Sequence, residues 1–318
     1  MRKSGLRRGV FAALALVAVA PLAHATEGGL GRSVTGVNAQ SYAAIVPPES
    51  GFVWQFGAVY DDGDIGGSKP VPIGGAAVLD VHAYLTLPSV TGLYVWNTGP
   101  GAWNFASAFS VPYNISSVNA DVSVGNLNVR QHDSVSDFFD LAFVPVIASH
   151  HFSQTEHMAL SLQIFAPTAD YEVGKLANAG LGIWTFSPTI AFTKIFAPAN
   201  VEFTTVAAVD FSSKHSDTDY QNAPVFRLDG LLLKRFTNGW GIGAAGGWIE
   251  QIGDDDGALA DRLNGFKGHA LGVGPVVSWG TKWEGGGTLE FQLRYIQEFS
   301  VENRIKGQPV MLTASLKL

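Results

Sequence analysis

Residues 289–298 read Leu289-Glu290-Phe291-Gln292-Leu293-Arg294-Tyr295-Ile296-Gln297-Glu298. Leu289, Phe291, Leu293 and Tyr295 recur at every second position, and Glu290, Gln292, Arg294 and Glu298 fall between them. Successive side chains of a strand point to opposite faces, so this segment has one apolar face and one charged face. The same alternation places Phe52, Trp54, Phe56, Ala58 and Tyr60 on one face, and likewise Trp103, Phe105, Phe109, Val111 and Tyr113. It returns in Val201, Phe203, Val209 and Phe211, in Phe226, Leu228 and Leu232, and in Trp240, Ile242, Ala244 and Trp248. Leu271, Val273, Val277 and Trp279 repeat it, and Val310, Leu312, Ala314, Leu316 and Leu318 close the chain with it.

The opposite faces decide the kind of sheet. They carry twelve charges: Asp80, Asp121, Asp140, Glu202, Asp210, Arg227, Asp229, Arg235, Glu290, Arg294, Glu298 and Lys317. The apolar faces carry two, Lys194 and Lys234, both near strand ends where a long stem snorkels to an interface. A soluble sandwich would bury the apolar face and leave edges to protect. A closed barrel with its apolar face in lipid satisfies every backbone group instead. Trp54, Trp103, Trp184, Trp240 and Trp279 near strand termini suit an aromatic girdle. The reading is an all-β, antiparallel transmembrane barrel of the bacterial outer membrane. Lipid, lipopolysaccharide and the barrel-assembly machinery are its expected partners.

Composition agrees. The 318 residues include 37 Gly, 20 Phe, 8 Trp and no Cys, with charged residues at 15%. Disulfides, thiolate metal sites and cysteine nucleophiles are excluded. A formal charge of −7 argues against nucleic acid as a partner. Met1 to Ala25 reads as a signal peptide, with Arg2, Lys3, Arg7 and Arg8 before the apolar run Val10–Ala20 and Ala23-His24-Ala25 as the cleavage site. Its removal takes away four positive charges and leaves 16 basic against 27 acidic groups, a net of −11. After Ala25 no apolar stretch is long enough for a helical span.

Residues 26–50 lack alternation and read equally as a short plug inside the lumen or as an unstructured lead-in. The barrel is assigned to 51–318. Strands are expected near 51–60, 78–96, 102–115, 117–129, 138–148, 157–166, 183–194, 200–211, 224–236, 239–249, 269–280, 287–298 and 309–318. Bacterial barrels use even strand numbers. Splitting 78–96 at Leu87-Pro88-Ser89-Val90 gives fourteen and puts Asp61–Ala77 in an outer loop; twelve is the alternative. Residues 196–200, 237–239 and 281–286 are read as short turns, and 167–182, 212–223 and 250–268 as long outer loops.

The second half resembles a known family. Ala166-Pro167-Thr168-Ala169-Asp170-Tyr171, Trp184-Thr185-Phe186-Ser187-Pro188 and Asp217-Thr218-Asp219-Tyr220-Gln221 follow in characteristic order. Glu250-Gln251-Ile252-Gly253-Asp254-Asp255, Leu271-Gly272-Val273-Gly274-Pro275 and Glu302-Asn303-Arg304-Ile305-Lys306-Gly307 complete the set. Together they resemble the outer-membrane proteins of the meta-pathway phenol-degradation family. The resemblance implies a barrel associated with aromatic breakdown that passes hydrophobic solutes. Asn222-Ala223 departs from the Ser-Gly usual at that point, and Leu318 from the usual terminal Phe or Trp.

Candidate lumen-lining residues are Asp80, His82, Phe165, Glu202, Asp210, Arg227, Asp229, Arg235, Glu290, Gln292, Arg294 and Glu298. Such charges orient a solute or, as is more common, neutralise one another and brace the wall. Phe138, Val144, Val146, Leu231 and Leu233 share the expected inward faces. Asp254–Asp256 and Asp217/Asp219 offer oxygen ligands without EF-hand spacing, and His150, His151 and His157 flank a turn; no metal or cofactor is assigned. His132-Asp133-Ser134 and His215-Ser216-Asp217 contain triad residue types, but sequence neighbours do not make a triad. No enzyme is expected.

The expected function is passive uptake of small hydrophobic, mainly aromatic, compounds. The alternatives are a general porin with a water-filled pore and an adhesive barrel whose outer loops bind a partner. The Gly-rich segment 239–247 is a candidate lateral opening, because glycines weaken side-to-side packing.

Overall fold

The computed structural model of the chain describes residues 32–65, 70–99, 101–124, 127–282 and 287–317. The expected signal peptide, residues 26–31, the terminal Leu318 and most of the 281–286 turn lie outside them. Among the described residues one antiparallel sheet of sixteen strands is present, and twelve of its strands close into a barrel.

In chain order the strands are β1 (Gly51–Ile65), β2 (Val71–Ile73), β3 (Ala76–Val95), β4 (Trp103–Val124), β5 (Leu127–Phe138) and β6 (Ala142–His151). Next come β7 (Glu156–Phe165), β8 (Thr185–Phe196), β9 (Val201–Ser212), β10 (Val225–Arg235) and β11 (Trp240–Gln251). A single helical turn, α1 (Ala258–Arg262), precedes β12 (His269–Lys282), β13 (Thr288–Tyr295), β14 (Gln297–Glu302), β15 (Lys306–Gly307) and β16 (Val310–Lys317). Each barrel strand pairs with its sequence neighbour, and β1 closes the ring by pairing with both β3 and β16. The short strands β2, β14 and β15 and the longer β5 extend the wall at one end, where the long loops also lie.

Twelve, not fourteen, is therefore the number of barrel strands, and two merges explain the difference. Residues 76–95 form one strand, with Pro88 opposite Ala58 on β1. On its other edge the β3–β4 ladder skips from Thr86–Ile115 to Ser89–Pro112. Two prolines lack N–H donors at this place, and the strand continues past them instead of turning. Likewise, the expected strands 102–115 and 117–129 merge in one strand, β4, which pairs with β3 along one edge and, along the other, with β6 in its first half and β5 in its second.

The apolar faces point outward. Phe52, Trp54, Phe56, Trp103, Phe109, Phe203, Leu228, Leu232, Trp240, Ile242, Val273, Phe291, Leu293 and Leu312 are all exposed large hydrophobics. On a closed barrel that surface belongs in lipid. Trp54, Trp103, Trp184 and Trp279 each stack on a neighbouring aromatic of the same band. No described helix is long and apolar enough to cross a membrane, and the crossing is made by strands. The Gly-rich strand β11 is continuously paired on both edges, from Gly241–Arg235 to Gln251–Val225 and from Trp240–Trp279 to Glu250–His269. Its glycines do not open the wall. Gly247 instead leaves room inside: a Cβ there would lie 2.3 Å from the Gly36 amide nitrogen and 2.4 Å from Asp229 Oδ1.

Candidate functional site

The lumen is filled from within by residues 32–50, and the inward charges are what hold them. Asp229 on β10 accepts the backbone N–H groups of Gly36 (3.0 Å) and Asn38 (3.0 Å). Arg294 on β13 donates to the carbonyls of Gly36 (3.2 Å) and Val37 (3.1 Å). Opposite charges thus grip the two polarities of one turn of chain, both almost fully buried. Glu202 on β9 accepts the Tyr42 N–H at 2.6 Å, and Arg235 lies 4.5 Å over the Tyr42 ring. Glu298 accepts the Thr35 hydroxyl at 2.5 Å, and Asp210 the Ser33 hydroxyl at 2.9 Å. Arg32 ion-pairs with Asp140 at 2.9 Å and covers the Phe165 ring at 4.6 Å. Nearer the end where the chain enters β1, Ser149 bonds both Ala44 O and Val46 N. Ala39, Ala44 and Val46 pack into three separate apolar clusters with the inner faces of the wall.

Only part of the ladder is wall-to-wall. Arg227 pairs with Asp210 at 2.8 Å, and Arg235 bridges Glu202 (3.1 Å) and Glu290 (2.8 Å). Gln292 is buried opposite Thr313 on β16. Two of the expected lining residues do not face inward. Asp80 has φ +48 in a bulge that shifts the β3–β4 register between Leu79 and His82. Past that bulge the faces exchange. Asp80 accordingly lies exposed against Arg130 (2.8 Å), and His82 lies outside against Asp64 (2.8 Å) and Asp62 (3.3 Å). A second register shift in β6, between Phe143 and Ile147, turns Val146 outward, and Phe138 is exposed against Tyr113. Leu231 and Leu233 are fully buried inward.

The residues that matched family motifs gather in the loops at the far end. The Asp255 carboxylate, buried, accepts four donors: Tyr220 Oη at 2.6 Å, Asn222 Nδ2 at 3.1 Å, the Ala223 N–H at 2.8 Å and Gln251 Nε2 at 2.7 Å. This knot ties the 213–224 loop to the 252–268 loop. Burial pushes the Asp255 carboxyl up to about 7, against the pull of Tyr220 and the other donors. Asp219 takes the left-handed conformation (φ +56) that turns Tyr220 inward, and Lys214 pairs with it. Tyr171 lies 4.1 Å from the His215 ring, whose pKa burial lowers. The His215 Nε2 is so close to Gly182 (φ +66) that a Cβ there would sit 2.3 Å from it. Asn303 (φ +54) bonds the Lys267 carbonyl at 2.7 Å, and Arg304 donates to the Ser33 carbonyl at 2.6 Å. The backbone of Asp170 receives the Gly180 N–H, while Gly274 and Pro275 lie in β12 opposite Ala245 and Ala244.

Beneath the loops Leu176, Ala177 and Phe266 pack on Ile65, Val71, Ile73, Val78, Val81 and Val118, forming an apolar cap on the outer mouth. Between this cap and residues 32–35 lies a cavity of about 140 Å³. Its walls include Ile73, Leu85, Leu87, Phe139, Leu176 and Leu181; its polar lining includes Asp61, Asn114, Glu298 and Arg304.

The other sequence candidates do not assemble. His151 and His157 meet at 2.6 Å and His151 reaches Asn104 at 2.7 Å, but His150 faces outward against Trp103 and Phe152. Among the described residues no three His, Cys, Asp or Glu side chains converge as metal ligands. His132 bonds Asn119, whereas Asp133 caps the Leu176 and Ala177 amides, so no triad forms there. In the second stretch Ser216 bonds its neighbour Asp217, and His215 Nδ1 accepts the Asp217 amide.

Fold and site together define an outer-membrane β-barrel whose lumen is occupied by its own N-terminal segment. Residues 67–314 match the profile of the MetA-pathway of phenol degradation family, and the chain belongs to that family. Among solved structures it is similar to the COG4313 outer membrane channel from Pseudomonas putida F1, at TM-score 0.64 and 14% identity, covering 87% of this chain and 99% of that one. Weaker likenesses are to a Pseudomonas aeruginosa FadL homologue (TM-score 0.45, 9% identity, 92% and 98% covered) and to the CymD monoaromatic hydrocarbon channel (0.43, 8%, 92% and 97%). No curated protein matches the chain.

Proposed function

We propose that this barrel passes small hydrophobic, mainly aromatic, compounds passively across the outer membrane, and that it acts as a channel and not as a catalyst. The observation that carries the reading is the cavity of about 140 Å³ between cap and inner segment, with mostly apolar walls. An apolar enclosure of roughly 150 Å³ holds one benzene-sized ring. Solute is captured beneath the outer loops, rests in this cavity, and moves on when residues 32–50 shift as a plug. Aromatic solutes are thus its proposed small-molecule partners, beside the surrounding lipid, lipopolysaccharide and the machinery that inserts the barrel. A general porin gains no support from a lumen filled along its length by hydrogen-bonded chain.

The test is permeation in liposomes. A single-ring aromatic solute should enter at rates well above those of protein-free vesicles, while sugars should not. Deleting residues 32–50 should then admit sugars. Equal exclusion of aromatic and sugar by the intact barrel would sink the uptake reading.

A further inference from the structure

At the inner mouth of the barrel, beside the short turn between β6 and β7, two imidazoles meet. His151 ends β6 and lies directly opposite His157, near the start of β7. Their Nδ1 atoms approach to 2.6 Å. The His151 Nε2 meets the Oδ1 of Asn104 at 2.7 Å, and both Asn104 and His157 are buried. A neutral ring that donates Nε2–H to an amide oxygen keeps the Nδ1 lone pair to accept with. The His151 lone pair is therefore aimed at a single proton, the one on His157 Nδ1. The Gln154 backbone lies against the His157 ring, and the Val46 backbone of the inner segment against the His151 ring. The adjacent Glu156 is taken up by Lys194 at 2.5 Å.

We propose that His151 and His157 form an exchangeable site for one divalent transition-metal ion that favours imidazole, Cu²⁺, Ni²⁺ or Zn²⁺, bound through the two Nδ1 atoms with water in its other positions. This goes beyond the uptake reading and is independent of it. Imidazole nitrogen suits these ions, and Cu²⁺ is held most tightly of the series. Metal–imidazole bonds of about 2.0–2.1 Å place two neighbouring ligand nitrogens roughly 2.9–3.4 Å apart. The two rings thus need to part by less than about 1 Å, which side-chain rotation supplies. A neutral imidazole has one N–H, so His157 moves its proton from Nδ1 to Nε2 through water, and none is lost from the pair. The bond from His151 Nε2 to Asn104 is of the kind that fixes the tautomer and orientation of a ligating ring. Two side chains hold the ion, since no third His, Cys, Asp or Glu converges on them among the described residues. A bound ion staples β6 to β7 two residues from Ser149, the residue that bonds Ala44 and Val46 of the inner segment.

The test is titration of CuCl₂ into the tag-free protein folded in detergent, with the folding of each variant checked by gel mobility. One Cu²⁺ per chain should bind, and its electron paramagnetic resonance spectrum should show coupling to two nitrogens. His151→Gln and His157→Gln should each weaken binding at least about tenfold, and Asn104→Leu, which removes only the outer bond, about tenfold. His150→Gln should leave affinity unchanged, because that ring packs outward between Trp103 and Phe152. Cu²⁺ should also raise the temperature of the heat-induced mobility shift in the unmutated barrel and not in His157→Gln, since an ion held by the folded state alone stabilises it. A loss in His150→Gln as large as in His157→Gln, or unchanged affinity in both inner variants, overturns the site and leaves a plain hydrogen bond between two rings. So does a one-nitrogen signal from the unmutated barrel, a readout that decides even where an inner variant does not fold.

Discussion

The described residues fill the lumen at two levels, an inner and an outer closure, held by different physics. The inner closure, residues 32–50, is held by buried charges on β9, β10 and β13 that bond to its backbone. The outer closure is held by an apolar cluster around Leu176, Ala177 and Phe266, with one carboxylate knot at Asp255 tying its loops. Apolar contacts are non-directional and tolerate sliding, so a cap of this kind can loosen by small steps. A charge bonded to one turn of backbone has few alternative geometries, and releasing it exposes an unpaired ion until water arrives. The outer closure is accordingly the more permissive of the two, and the cavity lies on its side of the inner clamp.

Four experiments would break or sharpen this contrast. The largest effect is expected at the inner clamp. Asp229→Ala leaves the buried Arg294 without its nearby counter-charge and the Gly36 and Asn38 amides without an acceptor, a loss of about 3–5 kcal/mol. The heat-induced gel-mobility shift should move to lower temperature, and single-channel conductance should rise. Unchanged conductance would mean that the clamp does not close the lumen. Next comes the cap: Leu176→Ala in the buried outer cluster should cost about 2–4 kcal/mol locally. It should raise protease nicking in the 166–184 loop without raising ion conductance, and a conductance rise equal to that of Asp229→Ala would erase the distinction.

The third experiment is pH. The folded Asp255 carboxyl titrates at about 7, above its ordinary value. From about pH 4 to about pH 7 the unfolded loop is ionised while the folded one keeps its proton, so cap stability falls as pH rises through that window and levels off above it. Hydrogen exchange of the Ala223 amide, corrected for its intrinsic pH dependence, should show more protection at pH 5 than at pH 8. Asp255→Ala should flatten that dependence; an unchanged slope would place the titrating group elsewhere. The smallest effect is at the rim, where the exposed pair Glu49–Lys317 links the end of the inner segment to β16 at 2.8 Å. Glu49→Gln should shift the mobility midpoint by less than about 1 kcal/mol, and a larger loss would show that the segment is held from its end as well as its middle.

Much of the wall was legible in the sequence because its rule is local. Period-two alternation named the lipid face of β1, β9–β13 and β16, and the charged residues opposite it on β9, β10 and β13 are buried in the lumen. Alternation failed where the backbone departs from a regular strand. The bulge at Asp80 sends His82 outside, the irregularity at 144–146 does the same for Val146, and Pro88 continues a strand instead of ending one. None of these leaves a mark in hydrophobic pattern alone; each depends on how the partner strand accommodates an extra or donor-less residue.

The partners of the buried charges were less accessible still. Arg227 with Asp210 and Arg235 with Glu202 follow the expectation that lumen charges neutralise one another. Asp229, Arg294 and Glu298 do not; they hold a segment some 190 to 260 residues away in sequence. The motif residues Tyr220, Gln251 and Asp255 were visible as a family pattern, but not as one hydrogen-bonded knot, and the departure Asn222-Ala223 supplies two of its donors.

The sequence by itself determined that this chain forms an antiparallel barrel with lipid outside and charge inside, because a strand's two faces are set by neighbouring residues. Only the tertiary structure decided that the barrel has twelve strands, that its own N-terminal segment fills it, and that an amphipathic cavity remains beneath the loops. Ring closure, the meeting of distant charges with a backbone turn, and the space left over are properties of the whole circumference, and no local window of sequence contains them.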